Sequence, residues 1–189
     1  GRHDHCRQTD YDMGVIARMA DRVVVMRHGD AVERGQVDQV FAAPAHAYTR
    51  MLLDAMPRMD RTDRGSRPSI GAAPPKDVAP ILEVDDLHVT FPVSVPGGLF
   101  GKRVPLRAVD GVSLSLRPGE TVGVVGESGC GKSTLARGVL KLLDPSAGSV
   151  AWLGRNIAQA SRKEMQPLRQ ELQIVFQDPT SALNPRWPV

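Results

Sequence analysis

Apolar residues fall into short blocks along the chain, and their spacing changes from one segment to the next. Between Asp12 and Ala20, the residues Val15, Ile16, Met19 and Ala20 recur at helical spacing and predict a short amphipathic helix. Arg22 to Met26 is a β-branched run, Arg27 to Asp30 has turn chemistry, and Ala31 to Glu33 reads as a return strand. Together they predict a hairpin that Gly35 is expected to end. Two short helices follow over Val37–Ala42 and His46–Ala55, the second with Tyr48, Met51, Leu52 and Ala55 on one face.

From Met59 to Pro80 the pattern disappears into Arg, Asp, Gly, Ser and Pro, which predicts a flexible linker. Beyond it, Ile81 to Val84 and Leu87 to Phe91 read as strands, with Leu87, Val89 and Phe91 sharing a face. Pro92 to Val104 is rich in Pro and Gly and reads as an irregular insertion before a strand over Val109–Leu116 and the turn Arg117–Gly119. Thr121 to Val125 is an apolar strand and Leu135 to Leu143 a helix, ended by Asp144 to Gly148. Ser149 to Leu153 and Leu172 to Phe176 are predicted strands, and Arg162 to Gln170 a helix that Pro167 weakens.

Composition narrows the classes without naming a chemistry. With 41% hydrophobic and 24% charged residues the chain is ordinary for a globular protein. The net charge of +3 is spread among interspersed acids, so no basic stripe argues for nucleic acid. No apolar run approaches the roughly 20 residues that cross a bilayer. Cys6 and Cys130 are the two cysteines, too few and too separated for a disulfide framework. His3, His5 and Cys6 are metal ligands in type, but no second ligand pair follows at a finger-like spacing, so residues 1 to 10 predict a disordered end. Gly1 in place of Met, and the trailing Asn184 to Val189, read as a chain cut at both ends.

Chemistry enters between the strand at Val125 and the helix at Leu135. Gly126-Glu127-Ser128-Gly129-Cys130-Gly131-Lys132-Ser133-Thr134 fits GxxxxGKS/T in the strand–loop–helix setting that the motif requires. Glycines let successive backbone N–H groups point into one concavity at a helix N-terminus, where they can cradle nucleotide phosphates. Lys132 is expected to reach the β and γ phosphates and the Ser133 hydroxyl to ligate Mg²⁺. The order of elements predicts an α/β P-loop sheet. A GTPase or small-molecule kinase is the competing enzyme class, but the Asn-Lys-x-Asp guanine reader of a GTPase does not occur.

The later signals resemble the ATP-binding subunits of ABC transporters. Ile174-Val-Phe-Gln177-Asp-Pro179 is similar to that family's Q-loop, which implies that Gln177 contacts Mg²⁺ and the attacking water. Phe91 corresponds to the aromatic that stacks on adenine, although as a sequence position it reads equally well as core. LRAVDGVSLSLRPGETVGVVGESGCGKST and FQDPTSALNPR resemble the peptide-importer branch, which serves dipeptides, oligopeptides, nickel or glutathione. DMGVIARMADRVVVMRHGDAVERG resembles the stretch after the family's switch histidine. PAHAYTRMLLDAMPR resembles the peptide importers' C-terminal extension, with His46-Ala47-Tyr48 where His-Pro-Tyr is usual.

The resemblance therefore implies residues 1–58 as the tail of a first nucleotide-binding domain, 59–80 as a linker, and 81–189 as the head of a second. The expected fold is an incomplete P-loop ABC ATPase, with an antiparallel β subdomain and short C-terminal-type helices at the start. ATP and Mg²⁺ are the implied cofactors. Membrane-spanning permease subunits, a second nucleotide-binding domain and, indirectly, a substrate-binding protein are the implied partners, at the cytoplasmic face of the membrane.

Two departures follow from the same resemblance. Tyr11 stands where the switch histidine belongs, and the LSGGQ signature, the Walker B aspartate and the catalytic glutamate do not occur. The chain taken alone is thus expected to bind nucleotide weakly at best and not to turn it over, and a non-catalytic remnant is the alternative reading. Thr121 to Val125 is expected to be left with unpaired edges, unless the hairpin Arg22–Glu33 docks on the head segment.

Overall fold

The computed structural model describes residues 16–55, 78–95 and 102–175. The chain divides into two compact units, the first ending at Ala158 and the second beginning at Gln159. The predicted strand and helix types form the mixed α/β architecture, and the hairpin does dock.

In the first unit, β1 (Arg22–Arg27) and β2 (Asp30–Gln36) form an antiparallel hairpin. Val23 to Met26 are four successive buried residues, the pattern of a strand covered on both faces. β1 pairs in parallel with β5 (Val122–Val125), Val23 opposite Gly123 and Val25 opposite Val125, giving the sheet order β2-β1-β5. One edge of the phosphate-loop strand is therefore occupied by the docked hairpin, the exception allowed for in the expectation of open edges. At the start of the ladder Thr121 N–H donates to the Asp21 carboxylate (2.8 Å), and Asp21 N–H donates back to the Thr121 carbonyl (2.9 Å).

Two helices, α1 (Val37–Ala42) and α2 (Ala47–Asp54), close over one face of this sheet. The core there joins Val23, Val25, Val40, Tyr48 and Val125, with Ile16, Val32, Phe41, Leu52 and Leu53 packed at its margin. Residues 16–19 are helical, the described part of the predicted Asp12–Ala20 helix. His46 caps α2: its Nδ1 accepts from Tyr48 N–H at 3.1 Å.

The second sheet is antiparallel, in the order β4-β3-β6-β7. β3 (Leu82–Val95) and β4 (Lys102–Leu116) are long, β6 (Ala147–Trp152) pairs with β3, and β7 (Arg155–Asn156) returns from it. Leu87, Val89, Val109, Val112 and Val150 are buried in it. α3 (Lys132–Val139) follows the phosphate loop, with Gly138 close enough that an added Cβ would touch Val89 and Leu87.

Several sequence expectations change. Gly35 does not end β2; it pairs with Val23, and the strand runs on to Gln36. The two strands predicted over 81–91 are one, bent by a register shift between Val84 and Leu87, where Asp86 takes a φ of 47°. Within the span Pro92 to Val104, the described residues 92–95 and 102–104 are paired strand rather than irregular, with Pro92 opposite Pro105 and Val93 opposite Val104. β6 leaves β3 after His88, so this arm is two-stranded, and prolines on such an edge forfeit little hydrogen bonding. The helix predicted over Leu135–Leu143 starts earlier and stops at Val139. β7 was not predicted; Leu153 and Gly154, both at positive φ, make the tight turn into it.

The second unit contains α4 (Arg162–Leu168). Ser161 and Glu164 form a reciprocal capping box at its start, and Pro167 sits in its last turn. Leu172 to Val175 are not a strand. A β-branched run becomes a strand only when a neighbour takes its backbone bonds, and no ladder forms here; Val175 is 93% exposed.

Candidate functional site

The phosphate loop runs from Gly126, at the end of β5, to α3. Two of its glycines are required by close packing of backbone. A Cβ on Gly126 would overlap the Met26 carbonyl oxygen, and one on Gly131 would overlap that of Ala108. Gly131 also has a φ of 105°, which lets the chain turn into α3 with Lys132 as its first helical residue.

Lys132 Nζ is folded back into the loop and donates to the carbonyls of Gly126 (2.7 Å) and Glu127 (2.8 Å). The ammonium thus lies inside the concavity, held by neutral acceptors that an anion can replace. Ser133 is exposed at the first turn of α3, beside Thr134. Glu127, Ser128 and Gly129 face solvent, whereas Cys130 is buried, its Sγ 3.8 Å from Lys132 Nζ. A glycine cradle, an ammonium in its mouth and a hydroxyl at the helix start fit a nucleotide phosphate with Mg²⁺.

The loop is braced from the other half of the chain. Gly29, in the β1–β2 turn, donates its N–H to the Cys130 carbonyl (3.0 Å) and accepts from Asp110 N–H (3.0 Å). It therefore links the loop to β4. The hydrogen bond from Arg107, opposed by modest desolvation and aided by His88, holds the Asp110 carboxyl below its ordinary range. Above the loop, Glu127 N–H donates to the Tyr48 hydroxyl at 3.2 Å. The Arg27 guanidinium lies 4.9 Å from the Tyr48 ring centroid. Burial pushes the Tyr48 phenol above its usual pKa, so it remains protonated at neutral pH.

The structure brings Gly126 to Thr134 into one loop. Phe91 stands on the two-stranded arm opposite Leu106, half-buried. Gln177, Tyr11 and His3, His5 and Cys6 lie outside the described residues. Among those described, no group of three or more His, Cys, Asp or Glu is placed to hold a metal. A separate groove of about 460 Å³ opens between the two sheets, but its arginines are committed, Arg22 to Glu120 and the Ser115 carbonyl and Arg34 to the Ser113 carbonyl. It contains no residue of the loop. Sequence reasoning missed Gly29 and the loop contact of Tyr48, since a turn glycine and a helix aromatic carry no mark of a distant partner.

Comparison with known proteins agrees with this geometry. Residues 109–188 match the ABC transporter family, and residues 32–81 match the C-terminal region of oligopeptide/dipeptide transporters. The chain is 43% identical over 180 residues to the peptidoglycan transport ATP-binding protein YejF of Agrobacterium fabrum. It is 41% and 42% identical over 196 residues to the glutathione import ATP-binding proteins GsiA of Salmonella paratyphi A and Escherichia coli. Each match covers 95% of this chain and 31% of the relative, so the chain spans about a third of their length.

Proposed function

Taking as premise that the chain belongs to the ATP-binding family of ABC transporters, of the peptide-importer kind, we propose that it is part of a component that binds ATP with Mg²⁺ and energises import of peptides or related small substrates. The observation that carries this is Lys132, folded onto the Gly126 and Glu127 carbonyls at the mouth of a glycine loop that opens onto α3. On this reading the loop amides from Gly129 to Thr134 and Lys132 hold the phosphates, Ser133 and Gln177 ligate Mg²⁺, and Phe91 stacks on the base. Mg²⁺ would neutralise phosphate charge, while the chain's own amides and ammonium orient the phosphates.

The order of the two family matches supports residues 1–58 as the tail of one nucleotide-binding domain and 81–189 as the head of another, because a C-terminal-region match precedes an ABC match. Permease subunits, a second such domain and a substrate-binding protein are the partners this reading assigns, at the cytoplasmic face of the membrane. No described helix is long and apolar enough to cross a membrane. A binding-only role for the 189-residue chain taken alone is the second reading.

The test is equilibrium binding of a fluorescent ATP analogue with Mg²⁺, compared with Lys132→Ala. Binding that disappears in the variant is the expected result. Equal signals from both proteins would sink the assignment.

A further inference from the structure

We propose that Tyr48 is a positioning residue for the phosphate loop, fixing the peptide at Glu127 and coupling nucleotide binding to the docking of α2. The inference rests on the phosphate-binding reading above and adds to it a residue from outside the ABC-matched segment, which begins at residue 109.

The first two peptides of the loop are held from two directions. Lys132 takes the Gly126 and Glu127 carbonyls, and Tyr48 takes the Glu127 N–H. A phosphate that draws the Lys132 ammonium outward removes the first tie and leaves the second. The hydroxyl then keeps the Glu127 peptide from turning into the space the phosphate needs.

Tyr48 is suited to that task because it has little freedom. It is 3% exposed, packed with Val23, Val25, Val40 and Val125, and its ring lies beneath Arg27. Its own N–H is tied to His46, the cap of α2. The hydroxyl position is thereby set by the helix and the β1–β5 ladder together. Whatever loosens α2 moves the acceptor away from the loop, and by linkage whatever orders the loop tightens α2.

The experiment compares the full chain with Tyr48→Phe, which keeps the ring and removes the oxygen, and with Arg50→Ala on the exposed side of α2. Three quantities are read: amide hydrogen exchange at Glu127 without nucleotide, affinity for a Mg²⁺–ATP analogue, and thermal midpoint. Faster exchange at Glu127 and affinity about fivefold weaker, the equivalent of one ordinary hydrogen bond, are expected from Tyr48→Phe, with Arg50→Ala unchanged.

A lowered midpoint with unchanged exchange at Glu127 and unchanged affinity would reduce Tyr48 to packing and overturn the proposal. If Tyr48→Phe fails to fold, the native chain decides: saturating analogue should slow exchange in α2 at Met51 to Leu53, and no slowing overturns the coupling. Absence of Lys132-dependent binding in the native chain would instead overturn the phosphate-binding reading and this inference with it. Unchanged exchange alongside intact binding sinks the Tyr48 role alone.

Discussion

Val24 of β1 lies opposite Val124 of β5 in a parallel ladder, so a strand from the tail-like segment completes the strand that bears the phosphate loop. Both strands carry valines at matching positions, and the shared core around Val25, Tyr48 and Val125 depends on both segments. Cleavage within residues 59–77 should therefore leave two fragments that co-purify. Separation of the fragments under native conditions would show that the ladder does not hold the segments together.

Met26 is fully buried, with its carbonyl against Gly126. Met26→Ala should cost about 2–5 kcal/mol in urea unfolding, the range for emptying a packed methionine site. Met51 is half exposed, and Met51→Ala should fall within about 0.5 kcal/mol of the native chain. Equal losses at the two positions would contradict the core described.

Local pattern made the elements legible where the pattern itself decides structure. Val37–Ala42 is a helix over the expected span, and RVVVM is a strand because four successive apolar β-branched or flexible residues need cover on both faces. The phosphate loop was legible because its backbone geometry dictates glycine at fixed positions. What sequence could not display was pairing. Leu172 to Val175 has strand composition but no neighbour, and Pro92 to Val95 opens on a proline that argues against a strand yet is held by β4. Tyr48 was likewise legible on one face of its helix; its bond to Glu127 arises only when β1 and β5 come together.

Glu33 links β2 to the start of α2, its carboxylate accepting from Ala45 N–H (2.8 Å) and His46 N–H (3.0 Å). Desolvation alone would raise its pKa, but these amides and the nearby positive potential of His46 outweigh it, and the folded carboxyl lies below its ordinary value of 4.5. The Thr49 hydroxyl adds to the lowering although it stays outside hydrogen-bonding geometry. Because the native state binds this proton less readily than the unfolded chain, the stabilisation is complete above about pH 4.5 and is lost as pH falls through the lower folded value. Glu33→Gln should cost on the order of 1 kcal/mol at pH 7, after allowance for solvent screening. The gap between the two urea midpoints should close as the pH is taken well below 4.5; a gap independent of pH would remove the charge from the account.

Gly29 holds the β1–β2 turn at a φ of 96° while joining Cys130 to Asp110, and a Cβ there would crowd the Ala108 carbonyl at 3.2 Å. Gly29→Ala should lower stability by about 1–2 kcal/mol from left-handed strain alone. Since the turn also supports the loop from below, nucleotide affinity should weaken in the same variant. A stable Gly29→Ala chain with native affinity would show that the brace is dispensable.

Turnover demands more than the loop supplies. Lys132, Ser133 and the loop amides can fix a phosphate, but the attacking water also needs an oriented acceptor, and Glu127 is the one carboxylate in the loop from Gly126 to Thr134. Positioning without activation of water predicts binding without hydrolysis for the 189-residue chain: phosphate release should match that of a Lys132→Ala preparation. Release that exceeds the variant's and scales with enzyme concentration would mean that another side chain orients the water. Exposed Glu127, whose peptide Tyr48 and Lys132 already hold at the mouth of the loop, is then the first position to replace.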